Sequence, residues 1–272
     1  MMTFETLLYE VRDGVAIMTM NRPEARNALG VQAREEVSRL IPEIRGDKSV
    51  KALVITGAGG CFSGGGDVSD MKKYMGQRTP SDNRQVLREV NAWLPELVNL
   101  EKPAIAAVDG PAFGAGFNMA LACDFVVCTP RARFCQVFVR IGLVPDFGGL
   151  FLLPRIVGLQ KAKELMYSAR VVDAEEARDL GIVYRIVPPE NLLDEALELA
   201  NRFRYAPTEA IGITKNLLNQ SFHTDQRMMG ELEAFASMAS KAVPYHREAV
   251  ERFLAKEAPL YDWDRMDKER GK

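Results

Sequence analysis

Histidine is scarce in this chain: there are two in 272 residues, His223 and His246, both in the polar C-terminal part. A histidine-centred metal site or a Ser-His-Asp triad is therefore not expected. The four cysteines (Cys61, Cys123, Cys128, Cys135) show neither CxxC spacing nor a small secreted frame. They read as small buried hydrophobes, not as a disulfide or metal set. No apolar run reaches the roughly 18 residues of a membrane span. The start, MMTFETLLYEVRDG, lacks the basic-then-apolar order of a signal peptide. A net charge of -2 gives no electrostatic case for nucleic acid or an anionic membrane surface. These absences point to a cytoplasmic globular protein, and its 47% hydrophobic content is enough for a substantial core at this length.

What is present is an α/β pattern. Two alternating runs, TLLYEV and VAIMTMN, flank Arg12-Asp13-Gly14 and predict a hairpin. Apolar residues from Val31 to Ile44 recur at helical spacing, with Gly46 as the stop. Residues 51–56, 103–108 and 125–128 are continuous apolar strands, and the first two run straight into glycine. The stretch from about Ser81 to Leu100 reads as helical. Strands buried on both faces and alternating with helices imply an α/β core. After about Pro188 the strands stop, and residues 190–203, 207–220, 224–242 and 245–258 read as amphipathic helices. Such a tail must cover its own core or a partner subunit.

Both strand-to-glycine junctions are candidate sites. Gly57 to Asp67 carries three successive glycines at 64–66, which let backbone amides face outward. It lacks the lysine of a phosphate loop, and Asp67 fits a dinucleotide fingerprint poorly; a plain turn is the bland alternative. In the second, Gly114-Ala115-Gly116 opens a helix read over Phe117–Cys123. A helix start favours an anion, although small residues also allow tight packing. Two such turns together can offer one amide each to a single oxygen atom. Each oxyanion donor of this kind contributes roughly 2.7–4 kcal/mol in the transition state, which suggests a thioester or ester substrate.

The motifs NRPEARNAL (21–29), CFSGGGDV (61–68), VDGPAFGAGFNMALACD (108–124), IGLVPDFGG (141–149) and LPRIVG (153–158) stand in order along the chain. In this the chain resembles the crotonase superfamily of enoyl-CoA hydratases and isomerases over almost its full length. The resemblance implies an α/β fold, a spiral of ββα units over residues 1–200, followed by a helical oligomerisation region over 201–272 that builds a homotrimer or a hexamer of two trimers. It implies an acyl-CoA thioester substrate, with coenzyme A entering as part of the substrate and no other cofactor or metal. Gly66 and Ala115 fall where the family supplies its two oxyanion amides. Ala25, Arg26 and Ala28 match the segment that cups adenine. Gly64, Asp67 and Val68 match the edge beside the pantetheine and thioester, Gly114 precedes the second amide, and Met71 lines the acyl pocket. Phe253 and Lys256 resemble a late-helix contact made to the coenzyme by a neighbouring subunit.

The chain departs from the hydratases where their two glutamates stand. Asn118 occupies the first position and Phe138 the second. Hydration needs a base for water and an acid for the α-carbon, and neither residue provides one. Asp146, in IGLVPDFGG, replaces the usual glycine, as in the single-aspartate isomerases of the family. It is read as the catalytic acid/base of a double-bond shift, and its place before Phe147-Gly148-Gly149 suits an N-cap as well. Burial among Phe138, Val144 and Phe147 should raise its pKa, and Arg140 is a possible opposing charge. Asp67, Asp109 and Asp124 are read as capping or boundary residues. The competing readings are a hydratase or lyase using Asp146 and water, and a non-catalytic acyl-CoA-binding paralogue.

Overall fold

The computed structural model describes residues 3–77 and 79–264. Strands β1 (Leu7–Arg12) and β2 (Val15–Met20) form the expected hairpin, with Leu7 opposite Met20 and a turn at Asp13 and Gly14, both at positive φ. Helix α1 (Val31–Gly46) leads to β3 (Ala52–Gly57), which pairs in parallel with β2. Three helices follow: α2 (Val68–Tyr74), α3 (Pro80–Asn91) and α4 (Trp93–Val98). The last two replace the single helical stretch read from periodicity.

Strand β4 (Ala104–Val108) then enters beside β3, and β5 (Pro111–Phe113) turns away into a second sheet. Helix α5 spans Ala115–Leu121, two residues earlier than the sequence reading, because the chain turns helical at the small residues themselves. Next come β6 (Phe125–Cys128), β7 (Arg133–Cys135), α6 (Gly149–Val157) and α7 (Leu159–Ser168). Then β8 (Val172–Asp173), α8 (Ala174–Asp179) and β9 (Arg185–Ile186) complete the strands. The main sheet runs β1-β2-β3-β4-β6-β9, and the smaller one runs β5-β7-β8.

The period of two explains the layering. Val15, Ile17, Ala52, Val54, Ile105 and Ala107 face one way, onto α9 (Leu192–Asn201). Their neighbours Ala16, Met18, Leu53, Ile55, Ala106 and Val108 face the other way, into a core shared with α1, α4 and α5. Each large side chain so buried stabilises the fold by roughly 1.5–3 kcal/mol relative to exposure.

Helix α10 (Thr208–Gln220) is fastened to this core by Lys215, whose Nζ donates to Asp124 Oδ2 at 2.8 Å, while the same oxygen accepts the Ala104 N–H at 2.7 Å. By contrast, α11 (Gln226–Lys241) and α12 (Pro244–Leu254) contain no buried residue. These helices lie in the region placed at 201–272, of which residues 265–272 fall outside the described residues. Among the described residues no helix is long and apolar enough to cross a membrane.

At the other edge, Glu36 in α1 is fully buried. Its carboxylate accepts the Glu5 N–H at 2.8 Å, the Thr6 N–H at 3.0 Å and the Thr6 hydroxyl at 2.6 Å. Stranding buried donors costs roughly 1–3 kcal/mol each. Glu36→Ala should therefore lower stability by about 3 kcal/mol in urea denaturation, with Glu36→Gln costing less. Equal, small losses for both would show that the strand does not depend on this carboxylate.

Candidate active site

Both glycine turns leave parallel, adjacent strands at the same end, so they meet. The Ser63 N–H donates to Pro111 O at 3.0 Å and the Phe113 N–H to Ser63 O at 2.9 Å, stitching the first turn to the second. The contact is close enough that a Cβ on Gly65 would lie 2.6 Å from Phe113 O and 3.5 Å from Ala115 N, at a φ of +96°. Only glycine tolerates both conditions. Neither the Gly66 nor the Ala115 N–H donates to a partner among the described residues. The side-chain end of Met71 lies over Gly66, and Val137 and Phe138 flank Gly114. Six expected residues, Gly64, Gly66, Met71, Gly114, Ala115 and Phe138, thus fall in one cluster.

Segment 21–29 is bound to the same turn. The Gly64 N–H donates to Arg26 O and the Leu29 N–H to Gly65 O, both at 2.7 Å. Ala25 and Ala28 are half-buried and Arg26 is exposed at a positive φ of 54°. Beneath them Asn27, 1% exposed, donates to Ala58 O and Cys61 O and accepts the Arg22 N–H. Asn27 and Ser63, whose hydroxyl donates to Asn27 O at 2.8 Å, were not picked out as site residues. Their places inside two quoted motifs were the available signal.

Asp67 caps α2 by accepting the Ser69 N–H at 3.0 Å and pairs with Arg22 at 3.2 Å. These contacts hold its pKa below the usual carboxylate range, the Ser69 hydroxyl contributing most. Val68 beside it is exposed. Asp109 accepts from Thr129 and Arg131, and Asp124 from Ala104 and Lys215, so all three acids have the boundary roles expected of them. Phe253 and Lys256 stand outside the cluster: α12 packs on α11, and Phe253 is 82% exposed.

Asp146 sits in the turn before α6. The N-cap of that helix is Gly148, with no side-chain cap bond, so the capping use expected of Asp146 is corrected: the chain turns at Phe147 and Gly148, both at positive φ, and carries the carboxylate away from the helix start. A bulky residue in the left-handed region is uncommon and strained. The Phe147 ring is held edge-on to Trp93, centroids 6.0 Å apart. Asp146 Oδ1 is buried with no partner among the described residues. Burial pushes its pKa up from 3.8 to about 6, against the smaller pull of its own backbone N–H and of the Arg34 guanidinium. Arg140 is not the opposing charge; it donates to Ala169 O. Arg34 on α1 carried no local signal, because only the fold brings it near.

Asn118 lies 0% exposed between these parts. Its Nδ2 donates to Asp146 O at 2.7 Å, and its Oδ1 accepts from Gln136 Nε2 at 2.7 Å. Gln136, also buried, was likewise missed. A separate cavity of about 670 Å³, lined by Asp124, Arg155, Tyr184 and Phe222 among others, contains none of this cluster.

Two amides without partners among the described residues thus stand where the glycine turns meet, and a carboxylate with one buried, unpartnered oxygen sits in the turn tied to α5. A model of enoyl-CoA hydratases and isomerases matches residues 10–264. The chain belongs to the enoyl-CoA hydratase/isomerase family. It is 33% identical to the 1,2-epoxyphenylacetyl-CoA isomerase of Escherichia coli, over 94% of this chain and 98% of the relative. It is 34% identical to the crotonyl-CoA hydratase of Syntrophomonas wolfei, over 94% and 97%. A crystal structure of an enoyl-CoA hydratase/isomerase from Cupriavidus metallidurans superposes with a TM-score of 0.90 at 38% identity, covering 96% of this chain and 97% of that one. The α/β fold with its C-terminal helices is therefore the family fold, and the chain is an enzyme of that family.

The buried acid carries a signature in stability. Its folded pKa lies above the unfolded value, so its contribution to stability is full below about pH 4 and is lost as pH rises through about 6. The stability difference between Asp146→Asn and wild type should shift by about 2–3 kcal/mol in favour of the variant from pH 4 to pH 7. A pH-independent difference in denaturation midpoints would show that the carboxylate is not desolvated.

Proposed function

We propose that this protein is an acyl-CoA-thioester isomerase that moves a carbon–carbon double bond, with Asp146 as the single acid and base. The observation that carries this is the buried, unpartnered Asp146 Oδ1 in a cluster where Asn118 and Phe138 stand at the hydratase glutamate positions. The thioester carbonyl lies between the Gly66 and Ala115 amides. Asp146 takes a proton from the α-carbon of a 3-enoyl chain, and the electron pair of that bond passes through the double bond system onto the carbonyl oxygen as a dienolate. The protonated acid then returns the proton at the γ-carbon, leaving the 2-enoyl thioester. The step balances without redox or an added nucleophile, so coenzyme A enters only as part of the substrate. A base with a pKa near 6 is ionised at neutral pH yet returns its proton readily.

Segment 25–28 and Gly64 receive the coenzyme, with Arg26 facing its phosphates. Asp67 supports that edge through its cap and ion pair, and Val68 and Met71 flank the acyl chain. The chain works as a homotrimer or as a hexamer of two trimers. Support comes from α11 and α12, which bury nothing in one chain and leave Phe235 64%, Met238 66%, Phe253 82% and Leu254 75% exposed. Large apolar side chains left exposed on two helices that bury nothing fit an interaction surface. Phe253 and Lys256 would then reach a neighbour's coenzyme.

NMR of a 3-enoyl-CoA in deuterated buffer should show migration to the 2-enoyl isomer with deuterium uptake. Asp146→Asn should lose at least 10³-fold in kcat, in the range of a lost acid/base, while still binding the thioester. Near wild-type turnover by the variant, or formation of 3-hydroxyacyl-CoA from crotonyl-CoA at ordinary enzyme rates, would overturn the assignment. Light scattering should give the mass of three or six chains, and a single-chain mass at micromolar concentration would overturn the assembly.

A further inference from the structure

We propose that Asn118 is a positioning residue for Asp146, locking the acid to the second amide turn so that carboxylate and oxyanion donor keep one geometry. This rests on the reading of Asp146 as the acid/base. Asn118 lies one turn along α5 from Ala115, and its own N–H donates to Gly114 O at 3.0 Å. Its side chain then crosses to the Asp146 turn, where Nδ2 donates to Asp146 O at 2.7 Å. That carbonyl also accepts the Gly149 N–H at 3.0 Å, so its position is fixed from two directions. Gln136 Nε2 holds the other end of the amide at 2.7 Å, which fixes its orientation with the NH₂ toward Asp146. The Gly149 backbone presses so closely that a Cβ there would lie 2.5 Å from Asn118 Nδ2.

The lock acts at a strained place. Phe147, directly after the held carbonyl, sits at a φ of +48°, a conformation that persists only where neighbours enforce it. Without the Asn118 bond, the turn relaxes and the carboxylate gains water. The charged group acting on Asp146 is Arg34 of α1, whereas Arg140 on the preceding turn donates to Ala169 O. Hydration is thus the main change expected on release.

The test uses Asn118→Ala and, in case that variant folds poorly, Gln136→Met, which removes the orienting donor alone. Both are compared with wild type and Asp146→Asn using a 3-enoyl-CoA. Positioning predicts a kcat loss of about 30–100-fold for Asn118→Ala, the scale of a catalytic group misplaced by about 1 Å. It also predicts a KM change under threefold and an acid limb of the kcat/KM profile, which reports the free enzyme, moving from about pH 6 toward 4. Gln136→Met should shift in the same direction by less. In the Asp146→Asn background, Asn118→Ala should have no further effect on kcat. A merely structural Asn118 would lower the denaturation midpoint but leave the acid limb near 6, and that result overturns the proposal, as does an unchanged kcat. If Asp146→Asn itself stays active, the base assignment fails instead, and the two failures are distinguishable.

Discussion

Strands β3 and β4 lie side by side in parallel, each buried on both faces, and each ends in a glycine turn at the same edge. That arrangement forces two backbone segments to emerge within contact distance of each other. A side chain at Gly65 would collide with the Phe113 carbonyl oxygen, and the Gly66 and Ala115 amides beside it donate to no partner among the described residues. The sheet therefore brings the two amides together as a by-product of its own packing, and the core that holds the strands also fixes the turns that carry them. Segment 21–29 is added to the same edge through Asn27 and the Leu29–Gly65 bond.

Onto this fixed half the chain adds an adjustable one. The turn before α6 is tied to α5 by a buried amide network, in which Asn118 donates to the Asp146 carbonyl and accepts from Gln136. Burial is what lifts the aspartate's pKa above the usual carboxylate value. A carboxylate in water is too weak a base for an α-carbon proton, and one with strong donors is weaker still. Here the oxygen atoms of Asp67, Asp109 and Asp124 are well supplied with donors, whereas Asp146 Oδ1 is not. The four acids around the glycine turns are divided by hydrogen bonding, not by residue type.

That division was partly legible in the sequence. Alternation and apolar runs marked the hairpin and the buried strands, and glycine clusters marked both turns, because these are local properties of the chain. Asp146 stood out because it was a lone carboxylate among apolar neighbours. What sequence could not show were contacts closed by the fold. Arg34, over a hundred residues upstream of Asp146, is the nearby cation, while Arg140, only six residues away, points elsewhere. The capping reading failed because helix starts were inferred from residue type, and two left-handed residues intervened. Asn118 was noticed for the carboxylate it lacks, and its bond to Asp146 emerges only in three dimensions.

A half-buried acid with one unpartnered oxygen costs the folded state stability at neutral pH. Evolution under heat alone would erode it, since replacing the charge by a neutral group relieves the strain of keeping it dry. A laboratory selection that rewards only survival at high temperature would favour neutral residues at this position, so stabilising screens on this scaffold need turnover in the selection from the first round.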